Sequence, residues 1–167
     1  QKTPVFKPYD PDTLFDYWQN KILNPEKESF NNWTREVIDS SIHLHHPGYM
    51  GHQVAPVLPE GALAELMGSL LNNGVGVYEM GSPTVAMERA VIKQLAGQVG
   101  FNEEADGVLT SGGTLGNLTA LLAARQVMTG TDAWKTGTGS QKYAFMVSDQ
   151  AHYCIDRAVK IMGWGED

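Results

Sequence analysis

Residues 107–125 read GVLTSGGTLGNLTALLAAR, and this stretch decides the fold. Val108 and Leu109 begin it as a short apolar strand, and Ser111, Gly112 and Gly113 form a turn of small residues. A helix is expected to open near Thr114, a suitable N-cap residue. Leu115, Leu118, Leu121 and Leu122 then recur at helical spacing, so this helix buries one face. A glycine-rich strand-to-helix turn aims unpaired N–H groups at one spot, where the helix dipole adds partial positive charge. An anion, most often a phosphate, is held at such a place. Gly112 and Gly113 leave no Cβ in the way of a ligand, and Thr114 and Asn117 can add side-chain hydrogen bonds. The alternative reading is a tight connection that needs glycine for its geometry and binds nothing. Two nucleotide motifs do not fit. A P-loop needs Lys-Ser or Lys-Thr after its last glycine, whereas Asn117 and Leu118 follow Gly116. The dinucleotide fingerprint needs three spaced glycines, and Gly112-Gly113-Thr114-Leu115-Gly116 does not supply that spacing.

A second unit of the same kind follows. Tyr143 to Val147 reads as a buried strand running into Ser148-Asp149-Gln150-Ala151-His152-Tyr153. Ile155, Ala158, Val159 and Met162 then mark a helix. Two strand–turn–helix units predict an α/β fold with a mostly parallel sheet flanked by helices. Ligands in such folds bind beyond the carboxyl ends of the strands, where Gly112–Thr114 and His152 both fall.

Upstream, residues 1–12 should run extended. Asp10 caps a helix that has Pro11 in its first turn and carries Leu14, Trp18 and Ile22, and Pro25 closes it. Asn31–Ser41 is a weaker helical segment, with Trp18 and Trp33 as packing anchors of an N-terminal arm. The loop at 43–61 holds His43, His45, His46 and His52 among prolines and glycines. Its spacing matches no zinc pattern, so no metal is expected, and contact of one or two histidines with a polar substrate is the preferred reading. Leu63, Leu66, Met67, Leu70 and Leu71 give a helix with a core-facing stripe that ends near Asn72. Ser82-Pro83 starts another, with Met87, Val91 and Leu95 on its buried side and a stop at Gly97 or Gly100. The segment 129–140, rich in Gly and Thr, reads as a solvated loop.

The 167 residues suffice for one domain with a core. A net charge of −7 argues against non-specific nucleic-acid binding and against an anionic membrane surface. The single cysteine, Cys154, cannot form an internal disulfide, which fits a cytoplasmic setting. No apolar run is long enough to span a bilayer, and the first residues lack the pattern of a secretory signal.

Four blocks in order resemble the group II pyridoxal-phosphate-dependent amino-acid decarboxylases, which include glutamate, aromatic-amino-acid and diaminobutyrate enzymes. They are His46–Gln53 (HPGYMGHQ), Tyr78–Pro83 (YEMGSP) with Met87-Glu88, Thr110–Leu118 (TSGGTLGNL) with Ala123-Ala124-Arg125, and Ser148–Tyr153 (SDQAHY). The resemblance implies the large domain of fold type I, aspartate-aminotransferase-like enzymes, with pyridoxal 5'-phosphate as cofactor. It implies that Gly113 and Thr114, with Gly112 and Asn117 nearby, hold the cofactor phosphate. His152 is implied as the catalytic histidine whose ring stacks on the cofactor, and His52 and Gln53 as residues on the substrate side. Residues 1–60 would form the N-terminal arm and substrate-side loop packing on a partner subunit, and 61–167 the first part of the cofactor-binding domain. A homodimer of the complete enzyme and a small amino-acid substrate follow from the same resemblance, with an acidic or diamino side chain preferred.

Two departures stand out. Cys154 occupies a position where serine is common in the family, and no adjacent base marks it as a nucleophile. The family's cofactor is held by a lysine directly after a histidine, with an aspartate paired to the pyridine nitrogen. No lysine in this chain follows a histidine. The chain is therefore expected to be the N-terminal part of an enzyme, completed by further sequence in the same or a separate polypeptide. The competing expectation is a non-catalytic fragment or pseudo-enzyme subunit that binds cofactor or a partner without turnover.

Overall fold

A computed structural model of the chain describes residues 4–25 and 29–165. The expected extended run at 1–12 thus lies partly outside the described residues, as do the last two positions. Contacts divide the chain into two units, 1–72 and 73–167.

In the first unit, residues 4–10 run without helix, and the Val5 carbonyl accepts a hydrogen bond from the His43 N–H at 2.8 Å. Helix α1 spans Pro11–Leu23. Asp10 caps it as its sequence suggests, its carboxylate accepting from the Thr13 N–H and hydroxyl, each at 2.9 Å. Ser29 likewise caps α2, Phe30–Ser40. The two helices share Trp18 and Trp33, whose rings meet edge to face at 6.5 Å, and the Lys21 and Glu36 ion pair. Trp18 is half-buried and Trp33 is exposed, so their ring contact joins the two helices without burying either as an anchor. Helix α3, Pro59–Leu71, ends at Asn72, which takes up the left-handed conformation (φ 47°) common at helix C-termini. No described residue of this unit is buried, however. Ile22 and the whole Leu63–Leu71 stripe are exposed, which corrects the core-facing expectation. Periodicity identifies an apolar face, and only an element laid over that face buries it.

The second unit opens with α4, Tyr78–Gln98, broken at Gly81 (φ −147°, ψ 29°). The break falls immediately before Ser82-Pro83, where the sequence places a helix start, and Tyr78–Met80 form an additional turn before it. Gly81 is buried, and a Cβ there would lie 2.8 Å from Val75 Cγ1, so glycine is required by packing. Besides Gly81, the buried position of α4 is Ile92, beside the expected stripe of Met87, Val91 and Leu95, all exposed. Gly100 at φ 88° takes the chain off the helix. Glu88 accepts from the Leu109 N–H at 2.8 Å and ties α4 to the segment that feeds the glycine turn.

Helix α5 spans Gly113–Met128, and α7 spans Cys154–Ile161. Between them a short α6, Ala133–Thr136, interrupts what reads as a solvated loop. Gln126 makes this possible: its side chain donates to Asp132 at 3.1 Å and accepts from the Trp134 N–H at 3.0 Å. The Gln126 bond and the Lys135 ammonium hold the Asp132 carboxyl below its ordinary range. The core of the unit lies where α5 meets α7 and α6, at Ala133, Cys154 and Ala158.

Among the described residues no strand ladder forms. Residues 105–110 and 141–148 connect helices without pairing, and Met146 is 98% exposed, so the buried strand expected at 143–147 is not observed. Tyr143 and Phe145, two residues apart and so on one face, both stack on Trp164 at 5.2 Å. A parallel strand depends on neighbours that local sequence does not specify, and the two segments here do not serve each other. Among the described residues no helix is long and apolar enough to cross a membrane.

Candidate functional site

The N-termini of α5 and α7 form one recess of about 400 Å³, lined by Gly113, Thr114, Asn117, His152, Tyr153 and Cys154. Two residue groups thirty-five or more positions apart in sequence, each expected to act on the cofactor, are thereby brought together.

On the α5 side the N-cap is Gly112 and not Thr114, which lies inside the first turn. The shift has a local cause. Gly112 is extended (φ 166°, ψ 167°), its carbonyl accepts the first helical bond from the Gly116 N–H at 3.1 Å, and the Thr110 hydroxyl donates to the same carbonyl at 3.0 Å. No side chain caps the helix. The first-turn N–H groups of an α-helix have no intrahelical acceptor, so they are available to a ligand. The glycines are informative here. Beyond the adjoining backbone, a Cβ at Gly112 or Gly113 would meet nothing within 4 Å, and neither residue needs a left-handed backbone. Packing and conformation therefore do not require glycine here, and the open backbone leaves room for an anion to approach. This arrangement fits a phosphate-bearing cofactor.

On the α7 side Tyr153 is helical (φ −54°, ψ −16°), which turns the Cys154 N–H back onto His152 Nδ1 at 3.2 Å. The His152 and Tyr153 rings lie 4.2 Å apart with a tilt of 35°, and the Arg157 guanidinium sits 4.7 Å from the centre of the Tyr153 ring. Arg157 is one helical turn beyond Tyr153, so this cation–π contact was available from spacing alone. Cys154 is buried, and its Sγ accepts from Asn117 Nδ2 at 3.1 Å. That bond joins the two walls of the recess.

His52 and Gln53 belong to the first unit, in the exposed loop after Tyr49, whose hydroxyl donates to the His52 carbonyl at 3.3 Å. In the same loop His46 Nδ1 accepts from the Gly48 N–H at 2.9 Å. Among the described residues no three His, Cys, Asp or Glu side chains converge as a metal site.

Residues 14–165 match the pyridoxal-dependent decarboxylase conserved domain. The chain belongs to this family. It is 30% identical to an aromatic-L-amino-acid decarboxylase of Bacillus atrophaeus over 96% of its own length and 33% of that protein. It is also 30% identical to an L-2,4-diaminobutyrate decarboxylase of Rhizobium meliloti, over 80% of this chain and 26% of that one. The crystal structure of the glutamate decarboxylase domain of a diaminobutyrate-pyruvate transaminase and L-2,4-diaminobutyrate decarboxylase from Vibrio parahaemolyticus superposes with a TM-score of 0.86. That match has 25% identity and covers 99% of this chain and 38% of the other. The chain thus spans about a third of the length of the relatives it matches. Membership in the family carries pyridoxal phosphate as its cofactor, and the geometry at the start of α5 suits it.

Proposed function

We propose that this chain forms part of the active site of a pyridoxal-phosphate-dependent decarboxylase that converts an L-amino acid to its amine and CO2. The observation that carries the reading is the single recess in which the uncapped start of α5 faces His152. In this reading Gly112, Gly113 and Thr114 bind the cofactor phosphate through backbone N–H groups, with Asn117 near them in the second turn of α5. The dipole of α5, sixteen residues long, favours the negative charge there. His152 would supply a planar face for the cofactor ring, close to the carboxylate that leaves. When bound, the cofactor acts as an electron sink for the bond that breaks at Cα. The lysine that anchors it and the aspartate that pairs its ring nitrogen come from sequence outside this chain. His52 and Gln53 are assigned to substrate contact, which favours an acidic or diamino side chain over an aromatic one. The exposed apolar stripe of α3 and the open 143–147 segment support assembly with the remainder of the enzyme, as a homodimer.

The test is CO2 release from L-glutamate, L-aspartate, L-2,4-diaminobutyrate and L-tryptophan, with the lysine-bearing segment present and bound cofactor measured alongside. Turnover of an acidic or diamino substrate is expected. Preference for tryptophan would overturn the substrate assignment. Bound cofactor with no CO2 from any amino acid would overturn the enzymatic reading and leave a binding role.

A further inference from the structure

We propose that Asn117 and Cys154 are positioning residues that hold the His152 ring as its Nε2–H tautomer. The proposal rests on His152 being the ring that faces the cofactor, yet its first readout needs no cofactor.

The argument starts from the donor inventory. A neutral imidazole carries one proton, so one ring nitrogen donates and the other accepts. The Cys154 N–H points at His152 Nδ1 from 3.2 Å, and Nδ1 must therefore be the acceptor. Cys154 is the first residue of α7, so this N–H has no acceptor within its own helix. A proton on Nδ1 would set donor against donor at the positive end of a helix, and the neutral ring avoids this by carrying its proton on Nε2.

Whether the constraint lasts depends on how firmly Cys154 is fixed. Its side chain is buried, 2% exposed, and accepts the Asn117 amide at 3.1 Å. Asn117 stands in the second turn of α5, thirty-seven residues away in sequence. Its amide therefore pegs the start of α7 to the helix whose N-terminus faces the recess. Three links in series result: Asn117 to Cys154 Sγ, Cys154 N–H to His152 Nδ1, and a ring left with Nε2–H as its only donor. A thiol is a weak acceptor and a hydroxyl a stronger one, so Cys154→Ser keeps the chain of contacts while Cys154→Ala and Asn117→Ala cut it.

The experiment is nitrogen-15 NMR of histidine-labelled protein at a pH where the ring is neutral, with the His152 signals identified by their loss in His152→Asn. Without cofactor, the wild-type protein and Cys154→Ser should show a protonated Nε2 and an unprotonated Nδ1. Cys154→Ala and Asn117→Ala should show the two tautomers averaging. Decarboxylation kcat should fall roughly tenfold to a hundredfold in the alanine variants and return to near the wild-type value in the serine variant. If an alanine variant does not fold, Asn117→Ser replaces it and should show averaging. A proton on Nδ1 in the wild-type protein, or an unchanged ring in folded alanine variants, would overturn the proposal. Failure of the cofactor reading registers separately, as a fixed tautomer in a protein whose absorbance does not change when pyridoxal phosphate is added.

Discussion

Helices α1 and α5 begin in opposite ways. At α1 the chain supplies its own anion, the Asp10 carboxylate seated on the Thr13 N–H. At α5 the equivalent position is Gly112, with no side-chain cap and, beyond the adjoining residues, nothing within 4 Å of where a Cβ would be. Helices α3 and α4 also lack a side-chain cap, so an open end alone distinguishes nothing. What distinguishes α5 is that its start shares a recess with a histidine from a distant segment. The contrast teaches that the chain finishes one helix end itself and leaves the other open beside His152, where the proposed reading puts the cofactor phosphate.

The strongest way to break the contrast is to make α5 start like α1. Gly112→Asp fits the extended backbone and the open space, and aspartate is a favoured N-cap. Two opposite effects are expected. Stability without cofactor rises by a few tenths of a kcal/mol, measured by thermal unfolding. Pyridoxal phosphate affinity falls by about a hundredfold or more, because a carboxylate now stands where the phosphate charge belongs. Unchanged affinity in a titration would remove the phosphate from the start of α5.

A pair of glycine variants sharpens the same distinction. Gly81→Ala pushes a methyl to 2.8 Å from Val75 Cγ1 and should cost about 1–3 kcal/mol in denaturant unfolding. Gly112→Ala meets open space, so its main effect should fall on cofactor affinity. If both variants lose stability alike, the glycine turn is structural and the reading of α5 fails.

The smallest effect lies at α1. Hydrogen bonds from the Thr13 N–H, and then from its hydroxyl, hold the Asp10 carboxyl below its ordinary range. A depressed folded-state value means that the stabilisation is complete above the unfolded carboxylate pKa and is lost as pH falls through the folded one. Protection of the Thr13 amide against hydrogen exchange, corrected for its intrinsic pH dependence, should fall in that acidic window. In Asp10→Asn, which still caps but does not titrate, protection should stay level across it.

Much of this site was legible in sequence because its parts are local. A glycine turn before a leucine-spaced helix and a histidine before a second amphipathic helix are both short-range patterns, and α5 and α7 form where they indicate. The N-cap was misplaced because threonine is the better capping side chain, while the backbone opens the helix at Gly112, whose carbonyl the Thr110 hydroxyl also bonds. The Asn117–Cys154 bond was not legible, since no periodicity relates residues on different helices. Burial was the least legible property. The stripes on α3 and α4 have the right spacing, yet Met67 and Met87 stand exposed, because spacing describes one surface and burial needs two. The 143–147 segment makes the same point for strands.

The uncapped start of α5 also bears on how long the protein survives in a cell. A ligand that completes a helix end is part of the folded structure, and at a hundred times its dissociation constant it adds about 2.7 kcal/mol to stability. Starved of that ligand, the protein opens more often, and proteases act on what opens. On the proposed reading, abundance would then track the supply of pyridoxal phosphate, which would set the amount of protein as well as its occupancy.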